Sequence, residues 1–287
     1  MADSKCGLSH YVDTFHPGGS SGIGKATAQL CLNLGANVVV GDLNPPQDPF
    51  ENSDKLMFLQ VDVTSWESLR NMFVQANERF GRIDHVFANA GVTPTPDFLD
   101  VKLDKDGQLE PPNLCGINVN LMGPIYTIHL AKAYMTQLAR ESTAGSGSIV
   151  LAASASACQT FSGGDYTISK HGVLGMIRGL VVGFEGHIRL NAIAPSWTAS
   201  GIVPPGFLES AGVMPQTSEA VAKSVVLLFV DEKRHGEVIY SWDGLYREIN
   251  NAKGGLLESA ERLLGNAANE ERVMRKLVEV TAKSRTQ

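Results

Sequence analysis

Tyr166 and Lys170 stand four residues apart in the run Asp165-Tyr166-Thr167-Ile168-Ser169-Lys170, and on a helix that spacing sets a phenol beside an ammonium. A free tyrosine titrates near pH ~10, and a positive charge fixed within a few ångströms favours the phenolate, bringing its pKa toward the working range. Such a pair is an acid/base for a substrate hydroxyl or carbonyl. By itself the pairing also occurs on solvated helix faces, so its weight depends on what precedes it. Upstream, Gly18-Gly19-Ser20-Ser21-Gly22-Ile23-Gly24 runs into a helical stretch, Lys25 to Leu34, and then a strand ending in Asp42. This order suits a dinucleotide. Glycines admit a pyrophosphate against the backbone, the helix start offers unpaired N–H groups, and an acid at the second strand's end accepts ribose hydroxyls.

The elements that must position these residues read as alternating apolar β-branched runs and helical stretches, the pattern of a parallel sheet covered on both faces. Strands are expected at Asn37–Asp42, Leu56–Val61, Ile83–Ala88, Ser148–Ala152, His187–Ile193 and Glu237–Tyr240, and helices near 22–34, 66–80, 116–140, 166–184 and 217–231. The fold class is therefore α/β, a doubly wound, Rossmann-like parallel sheet over residues 1–250. Thr93 to Pro112, rich in Pro and Asp, reads as a solvent-exposed loop. Residues 251–287 read as a helical extension of the same domain, with Leu256, Leu257, Ala260, Leu263 and Leu264 at helical spacing, then Val273, Leu277 and Val278.

Composition narrows the partners. A chain of 287 residues, 43% hydrophobic and 19% charged, buries a full core. Its net charge of -6 argues against nucleic acid or an anionic membrane as the main partner. No apolar run approaches the ~20 residues that cross a bilayer, and Met1-Ala2-Asp3-Ser4-Lys5-Cys6 has no hydrophobic signal core, so a cytoplasmic location is expected. Cys6, Cys31, Cys115 and Cys158 lack metal-site spacing and read as reduced, buried thiols.

Taken in order, these motifs resemble the short-chain dehydrogenase/reductases over about Gly18 to Gly244. Gly18 to Gly24 resembles the family's glycine motif, Asp62-Val63 its adenine-contacting pair, and Asn89-Ala90-Gly91 its turn after the fourth strand. Asn120 falls at the position of a helix-bending, water-holding asparagine. Ser154, Tyr166 and Lys170 fall at the catalytic serine and the tyrosine–lysine pair, and Asn191 to Thr198, with Pro195 and Thr198, resembles the loop over the nicotinamide. Gly41-Asp42-Leu43-Asn44 and Ala194-Pro195-Ser196-Trp197-Thr198 resemble reductases of fungal secondary metabolism.

The resemblance implies NAD- or NADP-dependent interconversion of a ketone and a secondary alcohol, with Tyr166 passing the proton, Lys170 lowering its pKa and holding the nicotinamide ribose, Ser154 binding the same substrate oxygen and Asn120 relaying protons. The dinucleotide would lie along Gly18, Ser20, Ser21, Gly22, Ile23, Gly24, Asp42, Asp62, Val63, Asn89, Ala90, Gly91, Tyr166, Lys170, Pro195 and Thr198. It also implies a homodimer or homotetramer through the two long helices. Asp42 would repel a 2′-phosphate, which favours NAD, while Lys25 keeps NADP open. The apolar stretch Trp197 to Pro215 reads as a lid over an apolar small-molecule substrate.

Three departures shape further expectations. Leu8 to Pro17 carries His10, Asp13, His16 and Pro17 where a buried central strand belongs, and buried polar groups and a missing strand donor are costly. Either the first strand is distorted or the gene model errs there, and both weaken cofactor binding. Ser154 precedes Tyr166 by twelve residues, one fewer than the family spacing, so Ser156 is its alternative. Asp165 is either a helix N-cap or a second acid facing a cationic substrate nitrogen. The latter belongs to a rival function, a non-redox cyclase or isomerase with weak or structural cofactor binding.

Overall fold

Three valines in a row, Val38, Val39 and Val40, are all buried, as a strand covered on both faces requires. They lie in β2 of a computed structural model that describes residues 13–96, 98–138, 147–161, 163–184, 188–202, 206–265, 272–274 and 276–277. The order is β1 (Asp13–Pro17), α1 (Gly22–Asn33), β2 (Asn37–Asp42), β3 (Leu56–Gln60), α2 (Trp66–Phe80) and β4 (His85–Ala88). Then come α3 (Cys115–Ile117), a π-helical turn (Asn118–Met122), α4 (Gly123–Met135), β5 (Gly147–Ala152), α5 (Gly164–Leu180) and β6 (Ile188–Pro195). The last elements are β7 (Thr198–Ala199), α6 (Phe207–Ser210), β8 (Gln216–Thr217), α7 (Ser218–Val230), β9 (Val238–Trp242), β10 (Leu245–Glu248) and α8 (Leu256–Leu264).

The main sheet has eight strands in the order β10-β9-β6-β5-β4-β1-β2-β3, and β1 to β6 and β9 pair in parallel. The expected α/β doubly wound sheet is therefore present. Local chemistry sets the helix ends. Ser65 caps α2 by accepting the Ser68 N–H, and Gly81 closes it at φ 81. Leu69, Met72, Phe73 and Ala76 then form the buried stripe of α2. Thr217 caps α7 by accepting the Ala220 N–H, and α7 buries Val221, Val225, Leu228 and Phe229 in a core shared with Ala28, Leu32, Val38, Val40 and Phe87.

The first strand corrects one expectation. Asp13 to Pro17 pairs at five positions with β2 and also with β4, and it lies undistorted between them. His16 is tolerated because burial pushes its imidazole down to about 3, keeping it neutral. Its Nε2 bonds Thr14 Oγ1 at 3.0 Å, and its ring lies edge-on to Phe87. Pro17 ends the strand, where only its carbonyl is needed: it accepts the N–H groups of Asn89 and Ala90. The residual cost is His16 Nδ1, buried without a partner. Leu8 to Val12 lie outside the described residues, as does Cys6. Cys31 is buried, but Cys115 and Cys158 are exposed free thiols, contrary to the expectation of burial.

The edge strand β10 had no counterpart in the sequence expectations. It follows β9 through Asp243 (φ 48) and Gly244 (φ 71), the double positive φ of a type I′ hairpin turn, which Asp-Gly suits. The chain divides into two compact units, Met1–Arg247 and Glu248–Gln287. Within the second unit, Glu248 accepts the N–H groups of Asn250, Asn251 and Ala252, and Gly265 (φ 71) ends α8. Val278 lies outside the described residues. Among the described residues no helix is long and apolar enough to cross a membrane.

Candidate active site

The strand order reverses between β1 and β4, so the loops after these strands diverge and open a crevice at the sheet's carboxyl edge, the usual ligand position in such sheets. Gly18 makes the first turn at φ 80, and a Cβ there would come 2.5 Å from Ala90 Cα. Its N–H donates to Gly41 O at 2.7 Å, and its carbonyl accepts Asn89 Nδ2 at 2.6 Å. A Cβ on Gly24 would collide with the Gly18 carbonyl, and one on Gly22 with the Ser200 carbonyl. The helix α1 starts at Gly22 with no side-chain cap from Ser21 and no acid in its first turn. Its leading N–H groups and positive dipole end are thus left for an anion.

A cleft follows, lined by Gly18, Ser21, Gly22, Ile23, Asp42, Asp62, Val63, Asn89, Ala90 and Gly91. Asp42 Oδ2 accepts the Ser20 N–H at 3.1 Å, which holds the carboxylate at the loop. Lys25 ion-pairs with Asp48 at 3.5 Å and is absent from this lining. The glycine cradle, the uncapped helix start and Asp42 fit a dinucleotide. Ser20 and Gly24 lie behind the lining: Gly24 packs the loop, and the Ser20 hydroxyl is buried without a partner. Leu43, Val92, Val119, Ser200 and Ile202 line the cleft without having been singled out as ligand contacts there. Nothing in their local pattern marks them, because segments brought in from four places supply them.

A second cleft shares Ile23, Asn89, Gly91, Ser200 and Ile202 with the first, and Ser154, Tyr166, Lys170, Pro195 and Thr198 line it. Lys170 Nζ lies 5.4 Å from the Tyr166 ring centroid and donates to Ala152 O at 2.8 Å. Burial pushes this ammonium down to about 8. Burial also pushes the Tyr166 phenol up, and a hydrogen bond with Ser154 pulls it back. Burial outweighs the Ser154 hydrogen bond, so the phenol sits above its ordinary value and not below it as expected. Ser154 Oγ accepts the Ser156 N–H at 3.2 Å, starting a 3-10 turn at Ala155–Ala157. Ser156 also lines the cleft, its hydroxyl buried without a partner.

Asn120 sits in the π-helical turn, fully buried and behind the lining. Its Oδ1 accepts the Val92 N–H at 2.8 Å and its Nδ2 donates to Val92 O at 3.1 Å. Gly91 is the gap where it nears Lys170: a Cβ there would lie 3.1 Å from Asn120 Oδ1 and 3.8 Å from Lys170 Nζ.

Both readings of Asp165 fail. Gly163 is the N-cap of α5, and Asp165 is fully buried and absent from the cleft lining. Its carboxylate accepts the N–H groups of Thr95 and Tyr166 and the Thr95 hydroxyl. The presumed lid also divides. Trp197 and Ile202 line the cleft, Leu208 is buried, and Phe207 and Met214 are exposed, while β7 inside the stretch pairs with β8 just beyond its end. Val203 lies outside the described residues. Thr93, Pro94, Gln159 and Phe161 also line the cleft.

Comparison with known proteins identifies the family. The family model described as short chain dehydrogenase matches residues 16–206. The chain is 43% identical over 250 residues to the short-chain dehydrogenase/reductase ascJ of Acremonium egyptiacum, covering 86% of this chain and 83% of that protein. It is 32% identical to the short-chain dehydrogenase/reductase prx4 of Penicillium roqueforti, over 73% of this chain and 62% of that one. It is also 32% identical to (+)-cis,cis-nepetalactol synthase NEPS3 of Nepeta racemosa, over 75% and 83%. Among solved structures, ElxO with NADP bound superposes with a TM-score of 0.64 at 21% identity, covering 80% of this chain and 97% of that one, a likeness of fold. From the residues matched and the identity to ascJ, this chain belongs to the short-chain dehydrogenase/reductase family.

Proposed function

We propose that the protein is an NAD(P)-dependent oxidoreductase that interconverts a ketone and a secondary alcohol on an apolar small molecule, a secondary metabolite. The observation that carries this reading is that Tyr166, Ser154 and Lys170 line one cleft that shares Ile23, Asn89 and Gly91 with the glycine-loop cleft. When bound, the nicotinamide supplies the hydride donor or acceptor. Tyr166 gives its phenolic proton to the substrate oxygen in reduction and takes it back in oxidation. Ser154 donates to the same oxygen and stabilises its developing negative charge. Lys170, anchored on Ala152 O, holds the ribose next to Tyr166, and Asn120 passes protons onward from Lys170. Asp42 takes the adenosine ribose hydroxyls and favours NAD, a choice supported by the engagement of Lys25 with Asp48. The assembly is a homodimer or homotetramer through α4 and α5, in the cytosol.

A cyclase or isomerase on the same scaffold is the second reading, favoured by the identity to a protein named nepetalactol synthase. It loses the acid once offered for it, because Asp165 is buried away from the cleft. Calorimetric titration with NADH and NADPH separately distinguishes the two: micromolar binding of either supports hydride transfer, and binding of neither puts the non-redox reading first.

A further inference from the structure

Three aromatic rings form a chain leading away from the reacting phenol. The Tyr166 and Phe161 centroids are 6.4 Å apart at 61°, and those of Phe161 and Trp197 are 5.8 Å apart at 62°. Both are edge-to-face contacts at separations where aromatic pairs attract. All three residues line the cleft that contains Ser154. Trp197, the outermost, leaves 44% of its surface exposed. The Phe161 carbonyl accepts the Thr167 hydroxyl at 2.9 Å, which ties the middle ring to the helix that carries Tyr166. The wall is thus registered to the acid/base group.

Resting on the oxidoreductase reading, we infer that this wall selects the substrate class: a ketone, or its alcohol, conjugated to a planar aromatic system of about two fused rings. The ring bearing the carbonyl meets Phe161 when its oxygen reaches Tyr166 and Ser154, and the second ring reaches Trp197. A saturated skeleton of the same size buries similar apolar area but lacks the π-face and flatness that such contacts require. Specificity then comes from Phe161 and Trp197, while the chemistry stays with Tyr166.

The test pairs 2-acetonaphthone with 2-acetyl-trans-decalin, which share a skeleton and differ in aromaticity. Binding of each is measured by calorimetry, with the protein alone and with NADH or NADPH, and turnover is followed separately by nicotinamide absorbance. The expected result is at least about tenfold tighter binding of the acetonaphthone, two ring contacts of ordinary strength. That preference falls to near parity in Phe161→Leu and Trp197→Leu and is retained in Trp197→Phe, which keeps a ring. Equal affinities in the native protein, absence of binding by both ketones, or a preference that survives both leucine variants overturns the inference. Selective binding without turnover leaves the wall standing and defeats the hydride-transfer reading instead.

Discussion

The Asp165 carboxylate grips Thr95 twice, accepting its backbone N–H at 3.0 Å and its hydroxyl at 2.7 Å. Asn120 grips Val92 twice in the same loop. Thr93 and Pro94, which line the substrate cleft, are therefore clipped between two buried polar side chains. Asp165→Ala strands two part-buried donors of Thr95 and is expected to cost about 2–6 kcal/mol of stability, from roughly 1–3 kcal/mol for each group left unpaired. Asp165→Asn, which preserves shape, retains turnover. Urea denaturation and a steady-state assay check this, and loss of turnover at unchanged stability would give Asp165 a chemical role.

Tyr166→Phe is expected to lower turnover by about 10²–10⁴-fold, the usual worth of a positioned acid/base, and to leave dinucleotide binding intact. Unaffected turnover sinks the assignment.

Ser154 and Ser156 are separable by pH. Ser154 opposes the upward push of burial on Tyr166, so Ser154→Ala shifts the pH profile of alcohol oxidation, which needs the phenolate, toward higher pH and lowers the rate. Ser156→Ala leaves the profile in place. The reverse pattern in the two profiles would move the catalytic role to Ser156.

Asp42→Ala should weaken NADH binding by about tenfold or more, roughly the 1.4 kcal/mol or so of one charged hydrogen bond, while NADPH binding changes little or improves. Equal losses for both, measured by calorimetry, would show that Asp42 does not read the 2′-position.

Acid should destabilise the fold well above the carboxylate range. Burial pushes His16 and His85 down to about 3, with positive charge from Arg189 adding to the effect at His85. In the unfolded chain both titrate near ~6.5. The folded state binds fewer protons, so their contribution is intact above that value and is lost as pH falls from ~6.5 toward 3. Between about pH 6.5 and 5 the two together remove roughly 3 kcal/mol. An unfolding free energy that stays flat across that interval, measured by urea titration, contradicts this.

Much of the fold was legible because its signals are local. Val38-Val39-Val40 has the burial pattern of a central strand, and Ser65 with Gly81 marks the ends of α2. The site residues Gly18, Asp42, Ser154, Tyr166 and Lys170 were legible by type, order and spacing, and all five line the two clefts. The first strand was misread because polarity was scored against each residue separately. His16 is neutral and bonded to Thr14, and Pro17 stands where no donor is required.

By itself the sequence determined the alternation of strands and helices, the glycine turn before α1, and the register of Tyr166 and Lys170, since each follows from backbone periodicity or a steric need within a few residues. Only the tertiary structure decided the rest. It brought Phe161 beside Trp197, buried Asp165 against Thr95, and left Ser156 unpaired on the cleft wall. It also reversed the expected direction of the Tyr166 shift. These depend on which distant loops meet and how much water they exclude, and desolvation is a property of the assembled environment that no local spacing encodes.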